Sequence, residues 1–275
     1  MKSLELTIED NVAHVILNRP EARNAMDANF WVELPELFGA LSENCDVRAI
    51  VMSAAGPHFS AGMDVNYLAE IGDSEDSDIG RSGLRLRQMI LDFQACFDTI
   101  DCCPIPVLSA VHGACVGGGV DLVCATDIRY CTENAYFCIQ EINIGMTADV
   151  GTLQRMPKLI PSGLMHELAY TGRRLDSGTA LNSGFVTRVF ASQDEMVKQV
   201  LLTAKEIACK SPLAVLGSKE MLRYARDHST SDGLNYIATW NASMLRTEDL
   251  AEGMQAARDK RAPNFRGRLR RRPLG

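Results

Sequence analysis

The sequence predicts an α/β protein. Short runs of β-branched and aliphatic residues alternate, through the first half of the chain, with longer segments whose apolar residues recur at helical spacing. Glycine-bearing turns directly follow two of these runs, as they do where a strand leads into a helix. After Gly151 the pattern is mostly helical. With 46% hydrophobic and 23% charged residues over 275 positions, the chain has enough apolar material for one large core.

The first predicted elements form one β-β-α unit. Residues 3–8 and 12–17 are short and aliphatic, and the turn residues between them are typical of a β-hairpin. Pro20 lacks an amide donor and ends the strand pattern, so we expect a loop before a helix over 27–41. The next predicted elements are, in order, a buried strand at 49–53, an exposed and mobile acidic loop at 70–83, a long helix from 84 to before 104, a buried strand at 105–112, a helix from the glycine run to 125, and short strands at 127–131 and 135–139.

The second half of the sequence is expected to be helical, and from 211 to about 261 only helices are predicted. We divide the chain into a core at 1–210 and a helical segment at 211–275 with a basic tail. The helical segment carries apolar residues such as Leu216, Tyr236 and Met254 on more than one face, which is more than a lone surface helix displays. Either another subunit or the chain's own core covers them, and the sequence favours neither.

The charge balance argues against a general nucleic-acid binder. The formal net charge is -7, whereas nucleic-acid binders need surplus Lys and Arg to displace counterions from phosphates. A basic tail could touch RNA, a membrane or an acidic neighbour, but a frayed and solvated end is the simpler interpretation. The arginines of this tail are Arg266, Arg268, Arg270, Arg271 and Arg272.

The nine cysteines are scattered through apolar stretches, as at Cys115, Cys124 and Cys138, which is typical of small core residues in a reducing compartment. Their spacing predicts no structural metal site. The sequence has no apolar run as long as a membrane span, its acidic N-terminus is unlike a secretory signal, and its last three residues are not a peroxisomal address. We therefore expect a soluble cytoplasmic protein.

Two glycine-bearing turns are the first candidates for chemistry. Residues 59–64 and 117–119 each follow a predicted strand and open a helix, where backbone N–H groups lack partners and the helix dipole is positive. Two such amides aimed at one point form an oxyanion hole. Close packing of a helix on a strand would explain the glycines equally well. Neither turn has the spacing of a P-loop or of a dinucleotide-binding fingerprint.

Three acids, Asp121, Glu141 and Asp149, stand in apolar company. A carboxylate among apolar neighbours either finds a partner or shifts toward its neutral form. A neutral acid beside an ionised one is the arrangement that proton transfer requires. The apolar neighbours of Glu141 are Ile139, Ile142 and Ile144.

Each of these acids also has a structural interpretation. Taken singly, it could cap a helix or form a buried salt bridge to Arg129 or Arg155. Together with the glycine turns, the three acids favour an active site.

The order and spacing of these parts resemble the enoyl-CoA hydratase/isomerase (crotonase) superfamily. The resemblance runs from Leu4 to about Phe265, nearly the whole chain. It implies a spiral core of β-β-α turns with a C-terminal helical trimerisation region, and usually a hexamer built as a dimer of trimers. The motifs that carry the resemblance are Asn18-Arg19-Pro20 with Asn24-Ala25, then residues 59–64, 112–122, 127–129, 151–157 and 260–265.

The resemblance also implies a site for an acyl thioester of coenzyme A. The backbone N–H groups of Met63 and Gly118 would form its oxyanion hole. Lys260 and Phe265 would reach the coenzyme from a neighbouring subunit. No metal and no cofactor are expected, apart from the CoA that is part of the substrate. The residues of the same chain that would hold CoA are Arg23, Ala25, Ala61 and Asp64.

The acids narrow the resemblance to one branch of the superfamily. Its hydratases carry Glu at the positions matched by Asp121 and Glu141, and typically Gly at the position matched by Asp149. In this chain the three acids follow each other at spacings of 20 and 8 residues. That trio is similar to the one in Δ3,5-Δ2,4-dienoyl-CoA isomerases, as are the segments at 127–131, 226–229 and 238–241.

The implied reaction moves two double bonds from positions 3,5 to positions 2,4, so one proton leaves C2 and another returns at C6. Two acid-base groups must then stand apart along an extended chain. We assign the C2 proton to Glu141 and the C6 proton to Asp149, roles that could be exchanged, while Asp121 supports the site and excludes productive water. The alternatives are a 2-enoyl-CoA hydratase and, in another class, a non-catalytic acyl-CoA or RNA-binding scaffold.

Overall fold

The computed structural model describes residues 1–72 and 78–268. The strands in these parts are β1 (Leu4–Glu9), β2 (Val12–Leu17), β3 (Ala49–Ala54), β4 (Val107–Val111), β5 (Ala114–Val116), β6 (Ile128–Thr132), β7 (Tyr136–Cys138), β8 (Leu175–Asp176) and β9 (Arg188–Phe190). The α-helices are α1 (Ala28–Glu43), α2 (Val65–Gly72), α3 (Ile79–Asp101), α4 (Gly118–Cys124), α5 (Thr152–Arg155), α6 (Ser162–Thr171), α7 (Ser177–Asn182), α8 (Gln193–Ala208), α9 (Pro212–Tyr224), α10 (Thr230–Met244) and α11 (Glu248–Asp259). Short 3₁₀ helices span Pro20–Ala22, Glu141–Ile144 and Met156–Lys158.

The strands form two sheets, and the chain alternates between them. The larger sheet has the order β1-β2-β3-β4-β6-β9, and the smaller has the order β5-β7-β8. After β3, Ser60 joins the smaller sheet through a parallel bridge to Cys115. Likewise β4 is followed by β5 and β6 by β7, and helices return the chain to the larger sheet. This is the spiral of β-β-α turns that the sequence predicted.

The central strands of the larger sheet, β3 and β4, are buried on both faces. All six residues of β3 are buried, which is typical of a parallel strand covered on both sides. On one face α1 and α3 pack together through aromatic side chains, with the ring centroids of Trp31 and Phe93 4.4 Å apart. On the other face α8 covers β3 and β4 with side chains such as Met196 and Val200. Burial of these apolar surfaces is the main stabilising contribution to the fold.

The predicted boundaries were wrong around the acidic loop. The loop was expected at 70–83, but α2 extends to Gly72, residues 73–77 lie outside the described parts, and α3 begins at Ile79. Asp78 starts this helix because its Oδ1 accepts a hydrogen bond from the Arg81 amide at 2.8 Å. An acid that looked like part of a solvated loop is therefore a helix cap. The prediction also missed β8 and β9, which are only two and three residues long.

The three C-terminal helices cover only part of their apolar surface. A carbon added at Gly217 of α9 would lie 2.7 Å from Nε1 of Trp240 in α10, so these two helices are in close contact. Leu222, Leu234 and Leu245 nevertheless stay exposed in the single chain. The chain's own core, one of the two predicted covers, therefore does not reach them.

The described part of the basic tail is bound to the protein surface. Arg266 pairs with Glu248 at 2.6 Å, and the Arg268 guanidinium donates to the backbone oxygens of Ser42 and Asn44. The expectation of a frayed end was therefore wrong up to Arg268, while the remaining arginines lie outside the described residues.

The cysteine prediction is confirmed for the three positions on which it was based. All nine cysteines are free, and Cys115, Cys124 and Cys138 are buried. No helix in the described stretches combines the length and the apolarity that a membrane crossing requires.

Candidate active site

Three turns lie side by side where strands of the smaller sheet end. The Ser60 segment bonds to β5, since the Val116 amide donates to the Ser60 oxygen at 3.0 Å. The chain after β5 bonds to β7, since the Gly117 amide donates to the Cys138 oxygen at 2.9 Å. Because these neighbours run parallel, the segments that follow them leave the sheet at the same edge. The turn at Gly62, the glycine run and Glu141 are therefore neighbours.

The two predicted oxyanion amides meet in a space that side chains would fill. Gly62 has φ of 86°, and a carbon added there would lie 3.3 Å from the Gly118 nitrogen. A carbon added at Gly118 would lie 3.8 Å from the Met63 nitrogen and 3.0 Å from Sδ of Met26. Within the described stretches, neither of these amides donates to a protein acceptor. Both N–H groups are available to one small oxygen.

A cavity of about 470 Å³ opens onto these amides. It brings together all three predicted acids and both oxyanion residues. Apolar side chains such as Trp31, Leu68 and Val150 form much of the remaining wall. A cavity with an apolar wall and a few convergent polar groups is the usual form of a small-molecule site.

Asp121 is fully buried in the first turn of α4. Its Oδ1 accepts a hydrogen bond from the Thr152 amide at 2.6 Å, while within the described residues its Oδ2 has no partner. Burial raises the pKa of Asp121 to about 6, and the bond from Thr152 opposes that rise. The carboxyl thus holds the first amide of α5 from another helix, but it is not the N-cap of α5, which is Gly151.

Glu141 and Asp149 are half-buried in the same cavity. Burial raises the pKa of Glu141 to about 7, and the charges of Asp121 and Asp149 raise it further. Burial also raises the pKa of Asp149. A carbon added at Gly117, where φ is 52°, would lie 3.2 Å from Oε1 of Glu141, so the glycine leaves room for that carboxyl. All three carboxyls therefore hold their protons to higher pH than free carboxyls do, and the charges of Asp121 and Asp149 couple both to Glu141.

Two details of the sequence interpretation were wrong. Ile142 and Ile144 are exposed, although Ile139 is buried and Ile144 lines the cavity, so the apolar run around Glu141 buries it only in part. Arg129 does not pair with an acid of the site, because its guanidinium donates to the backbone oxygens of Phe185 and Thr126.

The residues predicted to hold CoA fall into three groups. Arg23 and Ala61 line the cavity. Ala25 and Asp64 are instead joined to Arg19, which donates to the Ala25 oxygen at 2.6 Å and to Asp64 Oδ2 at 3.3 Å. In the single chain the other two lie away from the cavity. Lys260 ends α11, and Phe265 lines a groove of the C-terminal helices.

Sequence reasoning missed several polar residues of the cavity. Arg174 lies over the ring of Tyr136, with Cζ 4.1 Å from the ring centroid, and both residues line the cavity. His58 lines it too, and its Nδ1 accepts a hydrogen bond from the Ala114 amide at 3.3 Å. No sequence motif joins these residues. The pairing of strands within the smaller sheet brings them together. In the parts of the chain that are described, no cluster of three or more His, Cys, Asp or Glu could hold a metal ion.

The site combines two free backbone amides with three carboxyls whose pKa values are raised. An α/β protein with this site is suited to hold a carbonyl compound during proton transfer. The chain belongs to the enoyl-CoA hydratase/isomerase family, whose sequence profile matches residues 7–268.

Individual relatives agree with this assignment. The chain is 48% identical over 263 residues to the mitochondrial Delta(3,5)-Delta(2,4)-dienoyl-CoA isomerase of Mus musculus. This match covers 94% of this chain and 80% of the relative. It is 44% identical to the peroxisomal enzyme of that name from Arabidopsis thaliana, covering 96% and 97% of the two chains. The carnitinyl-CoA dehydratase of Salmonella typhi is 34% identical, covering 97% and 99%.

Solved structures show the same fold. The enoyl-CoA hydratase of Bacillus anthracis superimposes with a TM-score of 0.88 at 27% identity. The match covers 97% of this chain and 100% of that one. Because the isomerase relatives are named as mitochondrial or peroxisomal, they do not support the predicted cytoplasmic location.

Proposed function

We propose that the protein isomerises 3,5-dienoyl-CoA to 2,4-dienoyl-CoA. One observation carries the proposal: Glu141 and Asp149 line a single cavity with the unpaired amides of Met63 and Gly118. Relatives that are 44% to 48% identical over nearly the whole chain are named for this reaction. The agreement of site and relatives favours isomerisation over the other reactions of the family.

The proposed reaction begins with the thioester oxygen between the amides of Met63 and Gly118. These donors stabilise the negative charge that develops as the C2 proton leaves. Glu141 takes that proton, because a base with a pKa of about 7 is matched to neutral pH. The charge spreads along the conjugated trienolate to C6, which receives a proton from Asp149. Burial raises the pKa of Asp149 and so favours the protonated form that this step needs.

Asp121 supports both groups without transferring a proton in this scheme. Its carboxyl holds the Thr152 amide, and its charge raises the pKa of Glu141. In this scheme Asp121 also keeps productive water away from Glu141. The scheme needs no cofactor other than the CoA of the substrate.

The phosphates of CoA need positive charge at the cavity mouth. Arg23 and Arg174 line the cavity and carry charged donors that suit phosphate oxygens. Tyr136 fixes the Arg174 guanidinium by stacking, which lowers the entropy lost on binding. Lys260 and Phe265 would complete the coenzyme site from a neighbouring subunit.

We also propose that the C-terminal helices assemble the protein into a trimer or a dimer of trimers. They leave an apolar groove of about 1130 Å³ along α9, α10 and α11, within the predicted oligomerisation segment 211–275. Its exposed apolar residues form a patch larger than scattered surface residues would give. Sedimentation equilibrium tests this directly, because a monomer at micromolar concentration would contradict the proposal.

An ultraviolet assay tests the proposed reaction. With a 3,5-dienoyl-CoA substrate, the purified protein should build the strong absorbance of a conjugated 2,4-dienoyl thioester. Rapid loss of crotonyl-CoA absorbance without that product would identify a hydratase instead. Binding of acyl-CoA with neither reaction would favour the non-catalytic scaffold.

A further inference from the structure

A second, polar recess of about 420 Å³ lies behind the segment that carries Asp149. Val150 lines both this recess and the acid-lined cavity, so the backbone between them is a thin wall. On the recess side, Nε2 of Gln94 donates to the Asp149 backbone oxygen at 2.6 Å. The position of Asp149 is therefore set partly from behind.

Arg155 reaches this wall from the recess. Its Nη1 donates to the Val150 oxygen at 3.4 Å. A carbon added at Gly151, where φ is 135°, would lie 1.9 Å from that nitrogen, so only glycine lets the guanidinium lie against the backbone. The next residue is Thr152, whose amide donates to Asp121. The Arg155 side chain thus contacts the short segment between Asp149 and Thr152, the residue whose amide donates to Asp121.

The guanidinium is held in a balanced set of charges. Its side chain is only 14% exposed, and it pairs with Asp98 and, at 3.4 Å, with Asp101. Arg226 binds the other oxygen of Asp101 at 2.5 Å. The charge of Arg155 also acts on Asp121, where it opposes the rise in pKa that burial causes. The charged groups that face the recess are Asp98, Asp101, Lys158, Arg226 and Asp227.

We propose that Arg155 is a positioning residue for the acids of the site. It holds residues 149–152 so that Asp149 faces the acyl chain and Asp121 keeps its bond from Thr152. Arg155 does not line the acyl-CoA cavity, so it acts through these groups and not on the substrate. The kinetic part of this inference rests on the proposed isomerase function.

Arg155→Met tests the role, because methionine keeps much of the side-chain length and removes the charge and the donors. We expect kcat to fall by ~10²-fold, since small displacements of acid-base groups cost that much, while KM stays unchanged. Loss of the cation removes an interaction that lowers the pKa of Asp121. Asp121 then ionises less and its charge raises the pKa of Glu141 less, so the acid limb of the kcat profile should move to lower pH.

Two further variants separate charge from geometry. Arg155→Lys keeps the charge but cannot contact Asp98, Asp101 and Val150 together, so it should keep the wild-type pH profile with only partial recovery of kcat. Lys158→Met is the matched control, because Lys158 lines the same recess and pairs with Asp227 but does not contact residues 149–152. It should leave kcat and the pH profile unchanged.

The proposal is overturned if Arg155→Met keeps the wild-type kcat, or if it loses thermal stability and kcat with an unmoved acid limb. Should that variant fail to fold, a wild-type kcat in Arg155→Lys overturns it equally. Amide hydrogen exchange over 149–152 supplies a readout without catalysis, and it should speed up in Arg155→Met. Wild-type protein that lacks isomerase activity would refute the proposed function, while this exchange measurement would still decide the role of Arg155.

Discussion

Relative to wild type, Glu141→Gln should stabilise the protein more at alkaline pH than at acidic pH. Burial and two neighbouring carboxylates raise the pKa of Glu141 from its ordinary 4.5 to about 7. The native state then binds more protons than the unfolded chain between these two values, so wild-type stability falls as pH rises through that window. At ~1.4 kcal/mol for each pKa unit, the ionised carboxylate costs the native state up to ~3 kcal/mol at alkaline pH.

Glutamine removes this cost because it carries no charge. The difference in unfolding free energy between variant and wild type should therefore grow by up to ~3 kcal/mol from about pH 5 to about pH 8. Urea denaturation at equal protein concentration and ionic strength measures it. Glu43→Gln, at an exposed position at the end of α1, is the control and should give a pH-independent difference. A Glu141→Gln difference that is equal at both pH values would refute the buried charge.

The remaining predictions concern catalysis. Asp121→Asn should move the acid limb of the kcat profile to lower pH, because the charge of Asp121 raises the pKa of Glu141. An acid limb that does not move in the pH–rate profile would contradict that coupling. Gly62→Ala should lower kcat by ~10² to 10³-fold, the usual loss for a damaged oxyanion hole, since the added carbon would press on the Gly118 amide. Gly39→Ala, with open space around the added carbon, is its control, and equal kcat values for the two would count against the assignment. Arg174→Met should raise KM for acyl-CoA by ~10-fold, as expected for one lost charge-assisted contact to a phosphate. KM for an acyl-pantetheine, which lacks the nucleotide phosphates of CoA, should not change. An unchanged KM for both substrates would exclude a phosphate contact.

Much of the fold follows from local patterns in the sequence. The helical spacing of Phe30, Leu34 and Phe38 predicts α1, and those side chains are buried as expected. The glycine turns are also visible locally, because positive φ at Gly62 and Gly117 and close approach at Gly118 require residues without a side chain.

What the sequence could not predict depends on distant pairing. Arg174 and His58 reach the cavity only because β8 and the Ser60 segment join the same small sheet as β5 and β7. The start of α3 was missed because Asp78 looks the same in a loop and in a cap. The exposed Ile142 shows that an apolar neighbour in the sequence does not always share the burial of an acid.

Deuterium exchange with solvent tests the central claim, that Glu141 acts at C2 and Asp149 at C6 of one conjugated trienolate. In D₂O, Asp149→Asn should still exchange the C2 hydrogen of a 3,5-dienoyl-CoA, because Glu141 can remove and return it, but should form almost no 2,4-diene. Glu141→Gln should lose both exchange and isomerisation. Mass spectrometry of recovered thioester distinguishes these cases. Wild-type isomerisation by Asp149→Asn, or undiminished C2 exchange in Glu141→Gln, would contradict the account.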